Sequence, residues 1–462
     1  MSEQQIHSEN MEERLEETSQ HSHRHEHSHH EEHSHHGEHH HHHRKKRKKK
    51  SLKDKLPRFM RGKKFWQNMA ILLAALIFIS AVAAIATNLQ RRGEEQERPA
   101  QSQEQNAQTV SDAPAEAQQN TISVQLPYFT EAMPLVGNAA LACASADPQI
   151  PVEQVIGGYK EPGERLDKGL PVKLSYNISD LPQDCTVVSV AVKVSEDSSF
   201  KQYRAFSMTG SRRDLMVYHL KTDTQYYYQM HIQLSNGGST MVQGSFRTAD
   251  GPRVLGIEGA VNVRDFGGWK TKDGRTVRQG RLYRGSELDG AVEPEYKLTS
   301  KGLEDMLVVL GIHTDMDLRT KEENPLGTDA LGGNVEHIYY EVPMYEQVFE
   351  DYAKDRVRAV FSKLANENSY PIYMHCTYGM DRTGTVCYLL GALLGMSEED
   401  LLREYRLSAL YHRTVAQDLL GVFTAELETY PGNTLQEKTE RYLLSVGVTQ
   451  QELDAICKIM LE

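Results

Sequence analysis

Cysteine is scarce in this chain: five residues in 462, too few for a disulfide-dense scaffold. Positive charge is in deficit as well. Asp and Glu number 64 against 52 Lys and Arg, a formal charge of −12, which argues against a protein built mainly to bind nucleic acid. Apolar residues make up 39%, modest for a length that suggests two or three domains. Part of the chain is therefore expected outside any packed core.

The deficits are unevenly spread. Residues 1–43 hold ten Glu, two Arg and 15 of the 21 histidines, with almost no apolar side chains. Such a stretch cannot bury a core and is expected to be disordered. Fourteen of the histidines fall in 21–43, in HSH, HEH and HHH patterns. Neighbouring imidazoles can bind a divalent metal such as Zn²⁺ or Ni²⁺. No fixed ligand spacing is present, so a solvated polar tail is the simpler expectation. Residues 44–64 carry 13 Lys/Arg against one Asp, a local charge of +12. Together, 1–64 reads as a disordered, His-rich and basic tail.

Charge then vanishes over the 19 residues Met69–Thr87. At about 1.5 Å per residue, with Phe65 and Trp66 in front, this run can span a bilayer core of about 30 Å. The 64 residues ahead of Phe65 are too many for a cleaved signal peptide, so 65–89 is expected to be a single-pass signal anchor. It carries no Gly-x-x-x-Gly pattern for helix pairing. The basic flank places the amino terminus in the cytoplasm, against anionic lipid, and everything after residue 90 outside the cell membrane. Residues 90–125, rich in Gln, Glu, Ala, Asn and Ser, read as a flexible stalk. Residues 126–164 show no period and read as a connecting segment.

Over 165–250, the runs PVKLSYNIS, TVVSVAVKVS, KQYRAFSM, YYYQMHIQLS and TMVQGSFRT are short and rich in Val, Tyr and Thr. Turn residues such as Asn236-Gly237-Gly238 separate them. They predict an all-β sandwich. Leu220, Thr224 and Tyr226 lead into a strand, a hairpin follows, and the last strand ends Phe246-Arg247-Thr248. This stretch resembles the latter half of a fibronectin type III domain, which implies a spacer or binding module without chemistry.

From 252 to 462, strand-like and helix-like segments alternate. Leu303, Met306, Leu307 and Leu310 share one helical face. HTDMDLR reads as a strand, Val360, Phe361 and Leu364 mark a helix, Pro371–Met374 is a short apolar strand, and Thr383–Gly395 an apolar helix. Ser397 with Asp400, and Thr449 with Glu452, look like capping boxes. Leu453, Ile456, Cys457 and Met460 give the last helix a buried face. The alternation predicts an α/β domain, a parallel-type sheet flanked by helices.

Within it stands His375-Cys376-Thr377-Tyr378-Gly379-Met380-Asp381-Arg382-Thr383-Gly384. A cysteine follows a strand directly, and five residues separate it from an arginine that opens a helix. These five residues and the arginine can wrap so that backbone N–H groups of Thr377, Tyr378, Gly379, Met380, Asp381 and Arg382 line a nest for a tetrahedral anion. The helix end adds its positive dipole, and Arg382 can grip two phosphate oxygens. Gly379 permits a backbone conformation other residues resist. The same field would lower the Cys376 pKa from about 8.5 and leave a thiolate able to attack phosphorus. The Thr383 hydroxyl is placed to help the sulfur leave again, and His375 to orient the loop. Cys387 and Cys457, on helices, read as buried small hydrophobes.

The segment resembles the signature of cysteine-dependent tyrosine phosphatases, His-Cys-x5-Arg-Ser/Thr. It is more closely similar to a bacterial tyrosine-protein phosphatase family with three further landmarks. These are Asn262-Val263-Arg264-Asp265-Phe266-Gly267-Gly268, the element Leu282-Tyr283-Arg284-Gly285-Ser286-Glu287-Leu288, and Asp317-Leu318-Arg319 followed by Glu322 or Glu323. Two features depart from relatives. Several have Lys where Met380 stands, a Lys associated with phosphoinositide substrates. No Trp-Pro-Asp loop is present to supply the general acid that a phenolate leaving group needs. The resemblance favours Asp381, with Glu346 and Asp265 as alternatives. Asp265 and Asp317 are expected to support the loop structurally. For Arg264, Arg284 and the supporting Arg319, structural pairing and substrate binding stay equally open.

The expected activity is hydrolysis of phosphotyrosine, with phosphoserine and phosphothreonine as a wider range, through a phosphocysteine intermediate. No cofactor and no catalytic metal is implied, and no nucleic acid partner. The alternatives are a phosphoinositide phosphatase and a surface adhesion or receptor protein that recognises phosphate without turnover. An exposed thiolate outside the cell is open to oxidation. Cys143 and Cys185 are a possible disulfide pair that sequence alone leaves open.

Overall fold

A computed structural model describes residues 122–159, 165–327, 329–411, 415 and 417–462. The expected tail (1–64), signal anchor (65–89) and nearly all of the stalk lie outside the described residues. Among the described residues, no helix is long and apolar enough to cross a membrane.

The strands β1 (Ser123–Gln125), β2 (Val172–Ser175), β3 (Asn177–Ser179), β4 (Val187–Ser195), β5 (Arg204–Thr209), β6 (Asp214–Val217), β7 (Gln225–Leu234) and β8 (Ser239–Arg247) come first. One antiparallel sheet has the order β5-β4-β7-β8; β2 pairs with β6 and β1 with β3. Val190, Val192 and Val194 of β4 and Tyr226, Tyr228, Met230 and Ile232 of β7 point inward. They meet Val172, Leu174 and Val217 from the β2–β6 pair in one core, so the strands form a sandwich. The PVKLSYNIS run divides into β2 and β3 at the buried Tyr176. β6 escaped the sequence pattern because it is four residues long and only Val217 is fully buried. Tyr226 closes a corner, its hydroxyl accepting from Lys221 N at 2.9 Å. β1 shows that the last residues assigned to the stalk belong to the folded protein.

The segment 126–164, without a legible period, contains the helices α1 (Asn138–Ser145) and α2 (Val152–Ile156). Both are too short for amphipathic spacing to show. They precede the sandwich in the chain yet pack elsewhere. Ala139, Ala140, Cys143, Val152 and Ile156 are buried in the core of the carboxyl-terminal domain. Cys185 sits in the sandwich core instead, and all five cysteines are free thiols, so Cys143 and Cys185 do not pair.

The carboxyl-terminal domain holds β9 (Arg264–Asp265), β10 (Leu282–Gly285), β11 (Thr314–Asp317), β12 (Glu336–Tyr339) and β13 (Ile372–His375) in the order β12-β11-β13-β10-β9. All neighbours run parallel except the edge strand β9. Its helices are α3 (Ser300–Glu304), continued by a π-helical turn to Val309, then α4 (Lys354–Leu364), α5 (Asp381–Leu393), α6 (Glu398–Arg406), α7 (Gln417–Leu427), α8 (Leu435–Ser445) and α9 (Gln450–Met460). This is the α/β layer the alternation predicts. Every residue of β10, β11 and β13 is buried, as expected for parallel strands covered on both faces. Leu282, Met316, Ile372 and Met374 pack toward Val386, Leu389 and Leu390 of α5. Tyr283 and Tyr373 face the opposite side, with Met306 and Leu310. Thr449 and Glu452 make a full capping box on α9, whereas Ser397 caps α6 without the reciprocal Asp400 bond.

In register, Gly285, Asp317 and His375 lie side by side at the carboxyl ends of β10, β11 and β13. The loops after these strands thus gather at one edge of the sheet, where open α/β sheets bind ligands.

Candidate active site

The turn from β13 into α5 is Cys376–Arg382, and its carbonyls are held from outside. Glu287 N donates to Thr377 O at 3.0 Å, Asn262 Nδ2 to Tyr378 O at 3.1 Å and to Gly379 O at 3.2 Å, and Arg284 Nη2 to Gly379 O at 2.7 Å. A trans peptide sets its N–H opposite its C=O. The N–H groups of Tyr378, Gly379 and Met380 therefore face away from these partners, toward the concave side of the loop. Gly379 has φ +65°, and a Cβ there would stand 2.1 Å from Gly285 O, so no side chain fits. α5 begins at Asp381 and adds its amino-terminal dipole.

Burial pushes thiols up: Cys143 is raised to about 11 and Cys387 to about 12. Cys376, only 1% exposed, moves the other way. Burial raises it, but the Arg382 guanidinium and the hydroxyl and backbone N–H of Thr383 outweigh that, against an opposing Asp381. The Thr383 hydroxyl is buried and has no other hydrogen-bond partner. Arg382 is gripped by Glu323, whose Oε1 accepts from Nη2 at 2.7 Å while Oε2 accepts from Nη1. Thr377 Oγ1 donates to the same Oε1 at 2.8 Å. Burial works against the Glu323 carboxylate, yet these donors hold its pKa down at about 2.

Beneath the loop lies a buried charge cluster. Glu404 on α6 accepts from Arg264 Nε at 2.7 Å and from Arg284 Nη1 at 2.6 Å. Arg264 Nη1 donates to Asn262 Oδ1 at 2.5 Å, which turns the amide nitrogen toward the loop carbonyls. Asn262 has φ +58°, and its N–H donates to Asp167 Oδ2 at 2.7 Å. The structure thus answers the open question for Arg264 and Arg284: both are buried structural residues.

Residues 255–462 match the tyrosine phosphatase family. A Cupriavidus necator protein named for tyrosine-protein phosphatase activity is 29% identical over 213 residues, 38% of this chain and 72% of the relative. A tyrosine-protein phosphatase of Nostoc commune is 27% identical over 201 residues, 33% of this chain and 67% of the relative. Residues 255–462 are a protein-tyrosine-phosphatase domain. Among solved structures, the core catalytic domain of the PP-IP phosphatase SIW14 from S. cerevisiae, in complex with citrate, aligns at 15% identity over 31% of this chain and 80% of that one, with a TM-score of 0.22.

The phosphatase domain distributes the remaining predicted residues between loop and scaffold. His375 Nδ1 lies 3.3 Å from Cys376 O and its Nε2 3.1 Å from Asp315 Oδ1. Burial opposes its charge, but Asp317 and Asp315 outweigh that and raise it to about 9. Asp265 is committed elsewhere: Oδ2 accepts from Arg253 at 2.6 Å and Gly280 N at 2.6 Å, and Oδ1 from Gly267 N at 2.8 Å. It shapes the turn, the structural role expected for it. Asp317 accepts from Arg319 Nη2 at 2.7 Å, and Arg319 also pairs with Glu287 and Asp289. Met380 is buried in the core, and the Tyr378 hydroxyl donates to Glu293. Asp381 Oδ1 accepts from the Tyr345 hydroxyl. Glu346 follows on the 3-10 turn Tyr345–Phe349, one carboxylate oxygen buried without a hydrogen-bond partner.

Asp315, Asp329 and His337 bring one potential metal-ligand atom each within 4.8 Å of one another. Asp315 is already engaged there, 3.1 Å from His337 Nδ1 and 3.1 Å from His375 Nε2. Sequence reasoning missed Glu404, Asp167, Asp315 and Tyr345. Glu404 alone had a signal, an acidic residue at i+3 from Leu401 on the buried face of α6.

Proposed function

We propose that the phosphatase domain hydrolyses phosphotyrosine in proteins through a phosphocysteine intermediate. The Cys376 sulfur forms the S–P bond as the P–O bond to the phenolate breaks, and Asp381 gives its proton to the leaving oxygen. Water then attacks phosphorus, its proton returns to Asp381, and the P–S bond breaks to release phosphate. The Thr383 hydroxyl stabilises the departing thiolate. Loop N–H groups and Arg382 carry the charge of the transferring group. The observation that supports this reading best is a cysteine whose pKa is lowered against its own burial, inside a loop whose carbonyls are turned away.

The deciding experiment compares the soluble ectodomain with its Cys376→Ser variant on an aryl phosphate. The variant is expected to lose hydrolysis while still binding phosphate. Equal rates would favour a phosphate-recognising adhesion or receptor protein. A phosphoinositide phosphatase is the weaker alternative, since Met380 is buried and offers no cation. We further propose that 65–89 anchors the chain in the cell membrane, with the sandwich as a fibronectin-like spacer and the phosphatase domain outside the cytoplasm. Protease digestion of cells stripped of any outer envelope, with the cell membrane intact, tests this: protection of the phosphatase domain there would overturn it.

A further inference from the structure

We infer that Tyr345 is a positioning residue for the general acid, holding Oδ1 of Asp381 so that Oδ2 is the oxygen that carries the proton to the leaving group. The inference rests on the reading of Asp381 as that acid and adds the residue that orients it.

The bond pattern leaves one arrangement. The Tyr345 hydroxyl has a single hydrogen, and it goes to Asp381 Oδ1, because a carboxylate only accepts. The Tyr405 hydroxyl lies 2.6 Å from the Tyr345 oxygen, so it must be the donor to Tyr345. A directed chain results, from Tyr405 on α6 through Tyr345 to Asp381 on the first turn of α5. Burial first, then the neighbouring Tyr405 and Asp381, raise the Tyr345 pKa, so its hydroxyl keeps the proton it donates. A carboxyl group protonated on Oδ2 still accepts at Oδ1, so the chain survives both protonation states of Asp381.

Asp381 is within electrostatic reach of the nucleophile, since its charge raises the Cys376 pKa. The backbone supports the same conclusion independently. Tyr345 adopts φ +51°, a conformation that is costly for a bulky side chain. It is held there at a second point: Tyr345 N donates to Thr385 Oγ1 at 2.8 Å, and Thr385 Oγ1 donates to Asp381 O at 2.9 Å. Both ends of Tyr345 are thus tied to the turn that carries the acid. The segment behind it is anchored, with Tyr442 donating to Val348 O at 2.8 Å and Phe349 packed on Phe423 and Tyr442. Strained backbone persists where the surroundings over-determine it, and such sites cluster at functional centres.

The test uses leaving groups that differ in their need for a proton, read as kcat/KM so that only the first chemical step is compared. Phenyl phosphate needs the acid, and 2,4-dinitrophenyl phosphate does not. Tyr345→Phe keeps the ring and is expected to lower kcat/KM about tenfold or more for phenyl phosphate, and by no more than about twofold for the dinitrophenyl ester. Tyr405→Phe should show the same selectivity, more weakly. Equal losses on both substrates would make Tyr345 merely structural, and no loss on either would make it irrelevant; each overturns the inference. Asp381→Asn separates this from the underlying reading. If it shows the leaving-group-selective loss while Tyr345→Phe does not, only the positioning role falls. If Asp381→Asn shows no selectivity and Glu346→Gln does, the general acid itself is misassigned.

Discussion

At the scale of single residues, opposing terms decide the chemistry. Cys376 and Cys387 are both fully buried, yet their thiols move in opposite directions. The difference is the company each keeps: Arg382 and Thr383 beside Cys376, against a balanced cluster of Arg284, Glu404 and Arg264 beside Cys387. His375 shows the same competition with a consequence for stability. Its folded pKa, about 9, lies above the ordinary value of 6.5, so the native state binds this proton more tightly than the unfolded chain. The stabilisation is complete below about pH 6.5 and is lost as pH rises through about 9. Denaturation of residues 122–462 across this range is expected to show stability falling with pH, and Asp315→Asn should flatten that fall. An unchanged slope in the variant would mean that Asp315 does not hold the imidazolium.

At the scale of elements, the loop is local in sequence while its support is not. Cys376, Gly379 and Arg382 were legible because a strand, five residues and a helix are contiguous, and the Gly379 conformation follows from its type. Glu404 lies 140 residues from Arg264 and 120 from Arg284, so no spacing betrayed the cluster. Asp167 is joined to Asn262 across 95 residues, from irregular backbone just ahead of β2. For Asp265 the sequence favours a structural role without fixing it, because an acidic residue in a signature element suits catalysis and turn-building alike; its three bonded donors show the turn-building role. Glu404→Ala would leave two buried guanidinium groups without their carboxylate. A loss of about 3–5 kcal/mol in chemical denaturation is expected, with weaker phosphate binding as the loop carbonyls lose Arg284. A loss under about 1 kcal/mol would show that solvent reaches the cluster.

At the scale of the whole molecule, chain order and spatial order differ. The described residues lie within one compact unit, although the chain passes from α1 and α2 through a sandwich before reaching the phosphatase domain. Arg406 of α6 donates to Asp147 O at 3.0 Å and to Ile150 O at 2.5 Å, and Leu166 N to Leu410 O at 3.0 Å. The helices before the sandwich thus complete the wall behind the loop. A fragment of residues 252–462 is expected to melt several degrees below one of residues 122–462, because it exposes the apolar surface that covers Val152 and Ile156. Equal melting temperatures would make the amino-terminal helices ornamental. The sandwich and the α/β layer were visible in the sequence because periods of two and of about 3.6 run over several elements. The helices of 126–164 were not, because eight and five residues give no period to read.

The central claim is that the sulfur of Cys376 is anionic near neutral pH, and alkylation tests it most directly. The rate of iodoacetate labelling at Cys376, located by mass spectrometry and followed against pH, should reach half its maximum below the ordinary thiol value of about 8.5, and inorganic phosphate should slow it. A midpoint at or above that value, or labelling indifferent to phosphate, would contradict the account.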